Sequence, residues 1–450
     1  MCGFYFSTSG RFTLNLHTRL SARGPDNFNK LSLNNCIFAH SHLSVFSAQH
    51  DQPFYDEGNE LVLLFNGEIY NCPNSMTEAE FIIEQYKTHG GNGFEKLDGE
   101  FAICLVDFLA REILIATDPF ATKPCFYSSH EGFHVSSYPS SLLKEGVPKL
   151  SIRHARPNTL FRVNFDSRQL LERKELVQWD LNQTNSDFDA WITNFDKAVL
   201  KRSTHMCEGQ SPFVGISSGY DSGAIHASLL KSKTPFLGIS IMGKEDFSLV
   251  ELRQKLSRNK NIPHILLDAH ECKKISELIT NSMDRFVEDL PYEILSSGQL
   301  LAGEPTSVKG DKAAFGVGIL ACVARAHKSI ICLSGSGADE TISDYGFGGK
   351  KIYQHSNFGG LWPTNLQSIF PWSSFYGSTQ QSYIRKEEAV GGAFGIETRY
   401  PFLDKAVVQS FLNLRADLKN SAYKAPLNAY LSEQKYPFKQ EKRGFSPWAA

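Results

Sequence analysis

The stretch Phe213-Val-Gly-Ile-Ser-Ser-Gly-Tyr-Asp-Ser-Gly-Ala-Ile-His-Ala-Ser-Leu-Leu230 decides the fold predicted for the second half of the chain. A short apolar run ends in small, turn-forming residues, and apolar residues then return at helical spacing, which predicts a strand, a tight loop and a helix. Such a loop offers backbone N–H groups at a helix N-terminus, where they favour a phosphate group. Ser217, Gly219 and Ser222 leave room for the phosphate, and Asp221 would repel it unless Mg²⁺ lies between them. The pattern therefore predicts a site for magnesium-bound pyrophosphate.

The composition of the whole chain narrows the class of protein. The chain has 450 residues and a formal net charge of -2, with Lys and Arg scattered along it, so nucleic acid is not an expected partner. No apolar run reaches the length of a membrane span, and no basic segment precedes an apolar one at the N-terminus, so we expect a cytoplasmic protein without membrane contact. The 9 cysteines include no Cys-x-x-Cys pair, which argues against a zinc ribbon and a disulfide framework.

Short apolar or alternating runs fill the first 165 residues and predict strands separated by polar turns. These runs are Cys2–Ser7, Cys36–Ser47, Leu61–Ile69, Phe101–Asp118, Cys125–Ser129, Phe133–Ser137 and Thr159–Phe165. One helix is predicted from Thr77, where Glu80 completes a capping box, to the pair Gly90-Gly91. Strands on both sides of one helix predict an α+β domain with two antiparallel sheets over residues 1–165.

The sequence turns polar over residues 166–189, which we interpret as a linker. Strands and helices alternate over residues 190–450, which predicts an α/β domain with a parallel sheet. Its strand candidates are Phe213–Ile216, Phe236–Met242 and Ser329–Leu333. The last of these runs into Ser334-Gly-Ser-Gly-Ala-Asp-Glu340, a second small-residue loop at the carboxyl end of a strand, where open α/β sheets bind ligands. We expect Asp339 to be a second Mg²⁺ ligand beside Asp221 and Ser334-Gly335 to face the nucleotide.

Cys2 is the candidate nucleophile of the first half. Removal of Met1 would leave a thiol and an α-amine on one residue, and the amine, with a pKa near 8, could act as the general base of the thiol. Asn66-Gly67 could donate hydrogen bonds to an oxyanion, and Glu68 and Asp98 could accept from a substrate ammonium group. Each feature also has an ordinary interpretation when taken singly: an incidental cysteine, a common hairpin turn and, at Asp221, a helix cap.

Six short motifs occur together and in a familiar order. They are Met1-Cys2-Gly3, Arg23-Gly24-Pro25-Asp26, Gln52-Pro53, Asn66-Gly67-Glu68-Ile69-Tyr70-Asn71, Leu97-Asp98-Gly99-Glu100-Phe101-Ala102 and Asp118-Pro119-Phe120-x-x-Lys123-Pro124. This order resembles class II glutamine amidotransferases, and the loop at Ser217 resembles that of ATP pyrophosphatases. The whole chain is thus similar to the asparagine synthetase family. The resemblance implies an N-terminal-nucleophile glutaminase domain that passes ammonia to a synthetase domain of the adenine nucleotide α-hydrolase type.

The resemblance also implies a set of site residues and a reaction. Cys2, Asn66, Gly67 and Lys424 would be catalytic, and glutamine would be bound by His42, Asn66, Glu68 and Asp98. ATP would be bound by Ile216, Ser217, Gly219, Asp221, Ser222, Ile241, Ser334 and Gly335. Mg²⁺ would be bound by Asp221 and Asp339. The implied enzyme is an ATP-dependent carbon–nitrogen ligase that adenylates a small-molecule or peptide carboxylate and converts it to an amide with ammonia from glutamine.

Four departures from the family pattern bear on the acceptor and on glutamine binding. Ser336 replaces the glutamate of the second loop that is associated with proton handling, so aspartate is a doubtful acceptor. His42 replaces an arginine that holds the glutamine carboxylate, and a neutral imidazole cannot form a bidentate clamp. Ser218 replaces a glycine of the pyrophosphate loop, which we expect to be tolerated. Ser343-Asp344-Tyr345 replaces a Gly-Gly-Tyr segment.

Two alternative functions stay open on the sequence alone. The first is an ATP-dependent cyclase that closes an amide within its substrate and carries an idle glutaminase half, as β-lactam synthetases and lasso-peptide cyclases do. The second is a nucleotide-binding regulatory protein that keeps the fold without catalysis. The identity of the acceptor and a homodimeric state are likewise left open.

Overall fold

The computed structural model describes residues 2–10, 20–45, 52–283, 292–296, 299–303, 312–353 and 356–439. Met1, whose removal the sequence predicts, lies outside these residues, as does the end of the strand predicted to reach Ser47. Within the described ranges, no helix has the length and apolar character that crossing a membrane requires.

The regular elements are numbered in chain order. The strands are β1 (Gly3–Ser7), β2 (Asn27–Leu33), β3 (Cys36–His42), β4 (Phe54–Asp56), β5 (Leu61–Ile69), β6 (Gly99–Asp107), β7 (Glu112–Thr117), β8 (Phe126–Ser128), β9 (His134–Ser136), β10 (Arg153–His154), β11 (Thr159–Asn164), β12 (Leu170–Glu175), β13 (Phe213–Gly215), β14 (Leu237–Ile241), β15 (His264–Leu267), β16 (Tyr292–Ser296), β17 (Gln299–Gly303), β18 (Ile331–Leu333), β19 (Gly346–Phe347), β20 (Lys350–Lys351) and β21 (Glu397–Arg399). The helices are α1 (Glu78–His89), α2 (Pro139–Lys144), α3 (Asp189–Thr204), α4 (Tyr220–Ser232), α5 (Phe247–Arg258), α6 (Ala269–Met283), α7 (Lys312–Ala326), α8 (Ala338–Ile342), α9 (Ser373–Tyr376), α10 (Ser378–Ala393), α11 (Lys405–Leu412), α12 (Ala416–Lys419) and α13 (Ala425–Glu433).

The described strands of the first half form two antiparallel sheets. One has the order β10-β8-β9-β1-β3-β2 and the other the order β12-β11-β7-β6-β5-β4. Because side chains alternate between the two sides of a strand, each sheet turns one apolar side towards the other. Phe4 and Phe38 of the first sheet and Leu64 and Val106 of the second belong to one buried core. The predicted two-sheet architecture is confirmed.

Helix α1 covers the outer side of the second sheet. Its N-terminus carries the predicted capping box, in which the Thr77 hydroxyl accepts from the Glu80 N–H at 3.1 Å and the Glu80 carboxylate accepts from the Thr77 N–H at 2.8 Å. Ile82 of this helix packs into an apolar cluster with Leu105 of β6. Local capping and an apolar stripe therefore act together to place this helix.

The sequence predictions differ from the structure mainly at strand edges. The single run predicted over Phe101–Asp118 is two strands, β6 and β7, joined by a turn at Asp107, whose carboxylate accepts from the Ala110 N–H at 2.7 Å. Both strands are almost wholly buried, so apolarity continues through the pair. The prediction missed β2 and β12, which are edge strands with exposed polar residues. Strand β12 lies within the stretch predicted as a linker and pairs with β11.

The second half contains a parallel sheet with the order β15-β14-β13-β18-β21. From β13 the chain moves to one side through β14 and β15, and later to the other side through β18 and β21. The strand order therefore reverses between β13 and β18, and the loops that follow these two strands open into one crevice at their carboxyl ends. Open α/β sheets bind ligands at such a switch point.

Buried ion pairs join the two halves of the chain. Glu388 of α10 forms a salt bridge with Arg23 and lies 3.2 Å from the ammonium of Lys123. Arg202 of α3 lies 2.6 Å from the carboxylate of Glu100 in β6. These side chains are at most 2% exposed, so each charge depends on its partners rather than on water. The orientation of the two halves is consequently fixed by specific contacts.

We predict that Glu388→Gln lowers the free energy of unfolding by about 3–5 kcal/mol, because it leaves two buried cations without their shared carboxylate. The matched control is Glu172→Gln, which removes one partner of the half-exposed Arg162–Glu172 pair and should cost less than about 1 kcal/mol. Equilibrium unfolding in urea measures both. Equal losses in the two variants would show that the buried cluster does not stabilise the junction.

Candidate active sites

The first site lies at the start of β1, where Cys2 meets the end of β5. The Cys2 N–H donates to the Asn66 side-chain oxygen at 3.0 Å. The Asn66 side-chain nitrogen is buried and has no hydrogen-bond partner among the described residues. Gly67 has a φ of +134°, and a Cβ there would lie 1.8 Å from the carbonyl oxygen of Glu100. Only glycine fits at this position, and the unpaired amide beside it is a ready donor for an oxyanion.

The Cys2 thiol faces two histidines of β3. The Cys2 Sγ is 3.6 Å from His42 Nδ1, and the His40 ring centroid is 6.1 Å from that of His42. Burial alone would raise the pKa of Cys2, but the charge of His40 and its hydrogen bond to the thiol oppose this and bring the pKa below its ordinary value. The environment therefore favours the thiolate, which is the nucleophilic form of cysteine.

The structure pairs the two acidic residues predicted to hold a substrate ammonium group with cations of the second half. Glu68 lies 3.0 Å from His205 and 3.4 Å from the Arg399 guanidinium. Asp98 lies 2.7 Å from the ammonium of Lys201. Both carboxylates therefore also belong to the contact between the halves, and their role towards glutamine stays a prediction.

The second site is a cavity of about 440 Å³ at the carboxyl ends of β13 and β18. All the residues predicted to bind ATP or Mg²⁺, together with the predicted catalytic lysine, line it. They are Ile216, Ser217, Gly219, Asp221, Ser222, Ile241, Ser334, Gly335, Asp339 and Lys424.

The loop between β13 and α4 is held by its own side chains and by one arginine. The Ser222 hydroxyl accepts from the Ser217 N–H at 3.1 Å, and the Ser217 hydroxyl accepts from the Gly219 N–H at 3.1 Å. Arg253 of α5 donates to the carbonyl oxygens of Ser217 and Gly219, the latter at 2.8 Å. Because these hydrogen bonds hold the carbonyl groups of the loop, the loop keeps one shape. It lies beside the N-terminus of α4, where an anion is favoured.

Lys424 connects the two predicted metal ligands. Its ammonium donates to both carboxylate oxygens of Asp221, at 2.6 and 2.8 Å, and lies 2.8 Å from Asp339. Burial opposes the charge on this lysine, but the two carboxylates raise the pKa of Lys424 well above its usual value. Oxygen ligands that converge on one cation suit Mg²⁺, so Asp221 and Asp339 fit the metal that the sequence predicts.

Comparison with known proteins agrees with this two-site arrangement. Residues 1–173 match the family model of a glutamine amidotransferase domain, and residues 373–448 match that of asparagine synthase. An asparagine synthetase (glutamine-hydrolyzing) from Asparagus officinalis is 24% identical over 436 residues, which cover 90% of this chain and 67% of the relative. A probable asparagine synthetase (glutamine-hydrolyzing) from Schizosaccharomyces pombe is 24% identical over 431 residues, which cover 90% of this chain and 73% of the relative.

The chain is similar to the asparagine synthetase family over most of its length. Its predicted enzyme class, an ATP-dependent ligase with glutamine as nitrogen donor, is confirmed. A solved glutamine phosphoribosylpyrophosphate amidotransferase from B. subtilis matches 99% of both chains at 11% identity, but its TM-score of 0.32 is too low to support an argument.

At two of the positions where this chain departs from the family pattern, the replacing residues form hydrogen bonds with the rest of the protein. The Ser218 hydroxyl and N–H both donate to the carboxylate of Glu245, so this replacement for glycine anchors the loop from outside. Asp344 is buried, and its carboxylate accepts from the N–H groups of Asn357 and Phe358 at 2.9 and 2.8 Å. The remodelled segment is therefore ordered by its own hydrogen bonds.

Glu387 is a site residue that the sequence analysis missed. It lies on α10, lines the cavity, and accepts from the hydroxyls of Ser334 and Ser336 at 2.7 Å each. Burial raises the pKa of Glu387 above its usual value even though both hydroxyls favour the carboxylate. A carboxyl group thus reaches the loop position where the family pattern has a glutamate and this chain has Ser336. The sequence signal that could have identified Glu387 is the pair of adjacent acidic residues, Glu387-Glu388, in a helix that is buried.

One basic and several aromatic side chains also line the cavity, and we call this group its basic and aromatic wall. The wall consists of Lys386, Tyr345, Tyr353 and Tyr383. The Lys386 ammonium lies 4.6 Å from the centre of the Tyr383 ring, a cation–π contact on a side chain that is 5% exposed. Lys386 and the three tyrosines line the same cavity as the predicted nucleotide loops.

We predict that Lys424→Met makes the protein less stable without Mg²⁺ and more strongly stabilised by it. Removal of the ammonium leaves Asp221 and Asp339 facing each other, so an added cation gains the position that the lysine holds in the wild type. Thermal unfolding with and without MgCl₂ measures this. Lys439→Met, which removes a half-exposed partner of Asp246, is the control and should respond to Mg²⁺ as the wild type does. An equal response in all three proteins would refute the assignment of Asp221 and Asp339.

Proposed function

We propose that this chain hydrolyses glutamine at Cys2 and uses the ammonia to amidate an acceptor carboxylate, which is activated as an acyl-adenylate in the second cavity. The single observation that carries the proposal is the assembly of two chemically complete residue sets in one protein: a thiol beside an unpaired amide donor, and two carboxylates beside a phosphate-type loop. The relatives named for glutamine-hydrolyzing asparagine synthesis support the same pairing of activities.

In the first half, the Cys2 sulfur attacks the side-chain amide carbon of glutamine. The Asn66 side-chain nitrogen and the neighbouring backbone at Gly67 stabilise the oxyanion, and collapse of the intermediate releases ammonia. Water then frees glutamate from the thioester.

In the second half, the acceptor carboxylate attacks the α-phosphate of ATP, and pyrophosphate leaves. The loop from Ile216 to Ser222 binds the phosphates, and Lys424 compensates the negative charge that builds up on them. Asp221 and Asp339 would hold Mg²⁺, which supplies charge neutralisation for the departing pyrophosphate when it is bound. Ammonia then displaces AMP from the acyl-adenylate.

The acceptor is proposed to be a small-molecule or peptide carboxylate other than aspartate. Ser336 cannot exchange a proton as the family's glutamate does, and Glu387 supplies a carboxyl group to that point from a different element. The wall formed by Lys386 and Tyr383 favours an acceptor that carries a further anionic or aromatic group.

We predict that Cys2→Ala abolishes glutamate release but leaves amide formation from added ammonia, and that Asp221→Asn does the reverse. Acceptor acids are screened by AMP release, and glutamate is measured in the same reactions. Cys72→Ala and Asp187→Asn are controls away from both sites. Amide formation without any Cys2-dependent glutamate release would favour the cyclase, and the absence of pyrophosphate exchange with every acid would favour a regulatory protein.

We predict that Glu387→Gln slows amide formation about 10²–10⁴-fold while the affinity for Mg-ATP stays within about threefold, because only the proton-exchanging group is lost. The accepted acid from the AMP-release screen serves as substrate, and pyrophosphate exchange separates adenylation from attack by ammonia. Glu433→Gln on the exposed side of α13 is the control. Equal loss of exchange and amidation would assign Glu387 to nucleotide binding instead.

A further inference from the structure

Two histidines on one strand face the predicted nucleophile. His40 and His42 are two residues apart on β3, so their side chains share one side of the sheet. In the pairing of β1 with β3, Gly3 lies opposite Ser41 and Phe4 opposite His40, which sets Cys2 beside His42 at the strand end. The Cys2 Sγ and His42 Nδ1 are 3.6 Å apart, a hydrogen-bonding distance for sulfur.

His40 is the second, buried member of this group. It is 1% exposed, and its Nε2 has no hydrogen-bond partner among the described residues. Its ring lies 6.1 Å from that of His42, centre to centre. A buried imidazole with an unused nitrogen is costly for stability, and such groups are retained where they serve a site.

Among the described residues, the groups around the thiol include few other bases. Asn27 and Asn29 of β2 pair with the two histidines, and the β5 side chain that touches Cys2 is Asn66; none of these titrates. The charged neighbours are Arg23, which donates to the Cys2 carbonyl at 2.8 Å, and Asp26, whose carboxylate accepts from the Ser44 N–H. Another candidate base among the described residues is the Cys2 nitrogen, which becomes an amine if Met1 is removed and which donates to Asn66.

We propose that His42 is a catalytic acid–base partner of Cys2 and that His40 supports the thiolate beside it, so that the glutaminase half works through a thiol–imidazole pair. This inference rests on the proposed function for its substrate, but the pair itself is a property of the resting protein. It also assigns a purpose to the replacement of arginine at this position. The exchange gives up a guanidinium clamp for the glutamine carboxylate and gains a proton acceptor at the sulfur.

The proton transfers balance without a further reactant. In the resting site the Cys2 proton passes to His42, giving a thiolate and an imidazolium. The thiolate forms a bond to the amide carbon of glutamine, and the carbonyl π electrons move to oxygen. When the carbon–nitrogen bond breaks, the leaving amide nitrogen takes the proton from the imidazolium and departs as ammonia. Water attacks the thioester as His42 accepts its proton, and the sulfur leaves as thiolate.

The test measures alkylation of Cys2 by iodoacetamide as a function of pH, with the modified peptide quantified by mass spectrometry. For the wild type we expect Cys2 at pH 6.5 to react at least about tenfold faster than Cys72, a half-exposed free cysteine without a histidine partner. In His42→Ala and His42→Gln the rate at pH 6.5 should fall at least about tenfold, and the rate at pH 9.5 should stay within about threefold. His40→Ala should shift the profile in the same direction, and His89→Ala is the surface control.

The rate at high pH separates chemistry from structure, because a collapsed site would slow alkylation at every pH. An alkylation profile of His42→Ala that matches the wild type overturns the proposal. Glutaminase turnover is measured in parallel, and we expect kcat of His42→Gln to fall about 10²–10³-fold. A histidine-dependent alkylation profile in a wild type that does not hydrolyse glutamine would refute the proposed function and leave the thiol–imidazole pair established.

Discussion

The carboxylate of Glu388 is the contact on which the arrangement of the two halves depends. It lies where Arg23 and Lys123 from the first half meet α10 of the second, and no water reaches these charges. Arg23 also donates to the carbonyl of Cys2, so the ion pair reaches the predicted nucleophile directly. Because a buried charge is stable only in the geometry that pairs it, the cluster converts the contact between the halves into a specific position of the thiol.

The two sites differ in how the charges of their side chains are compensated. In the second cavity an excess of carboxylates is compensated by the buried Lys424, which a substrate-bound metal could relieve. At the first site the thiol lies beside the imidazole of His42, with the His40 ring 6.1 Å from that of His42. The first arrangement suits a highly charged nucleotide, and the second suits a reaction in which charge appears only transiently.

Much of the architecture followed from local patterns. The loop around Ser217 and the loop at Ser334 were placed at strand ends by residue type alone, and their predicted ligands line one cavity. The features that could not be predicted from the sequence depend on contacts between residues that are far apart in the chain. Glu387 reaches Ser336 from a helix that is distant in the chain, and edge strands such as β12 carry no apolar pattern. The predicted function of His42 in carboxylate binding came from its position in a motif, and its distance to the sulfur came only from the pairing of β1 with β3.

Helix α10 directs consecutive glutamates to different places: Glu387 to the Ser334 loop of the second cavity and Glu388 to Arg23 and Lys123. Neighbouring residues on a helix point about 100° apart, so one inserted or deleted residue before this pair would misdirect both at once. The two halves can therefore not be recombined freely between relatives. A chimera that joins a first half from one protein to a second half from another must preserve the register of this helix together with the positions equivalent to Arg23 and Lys123.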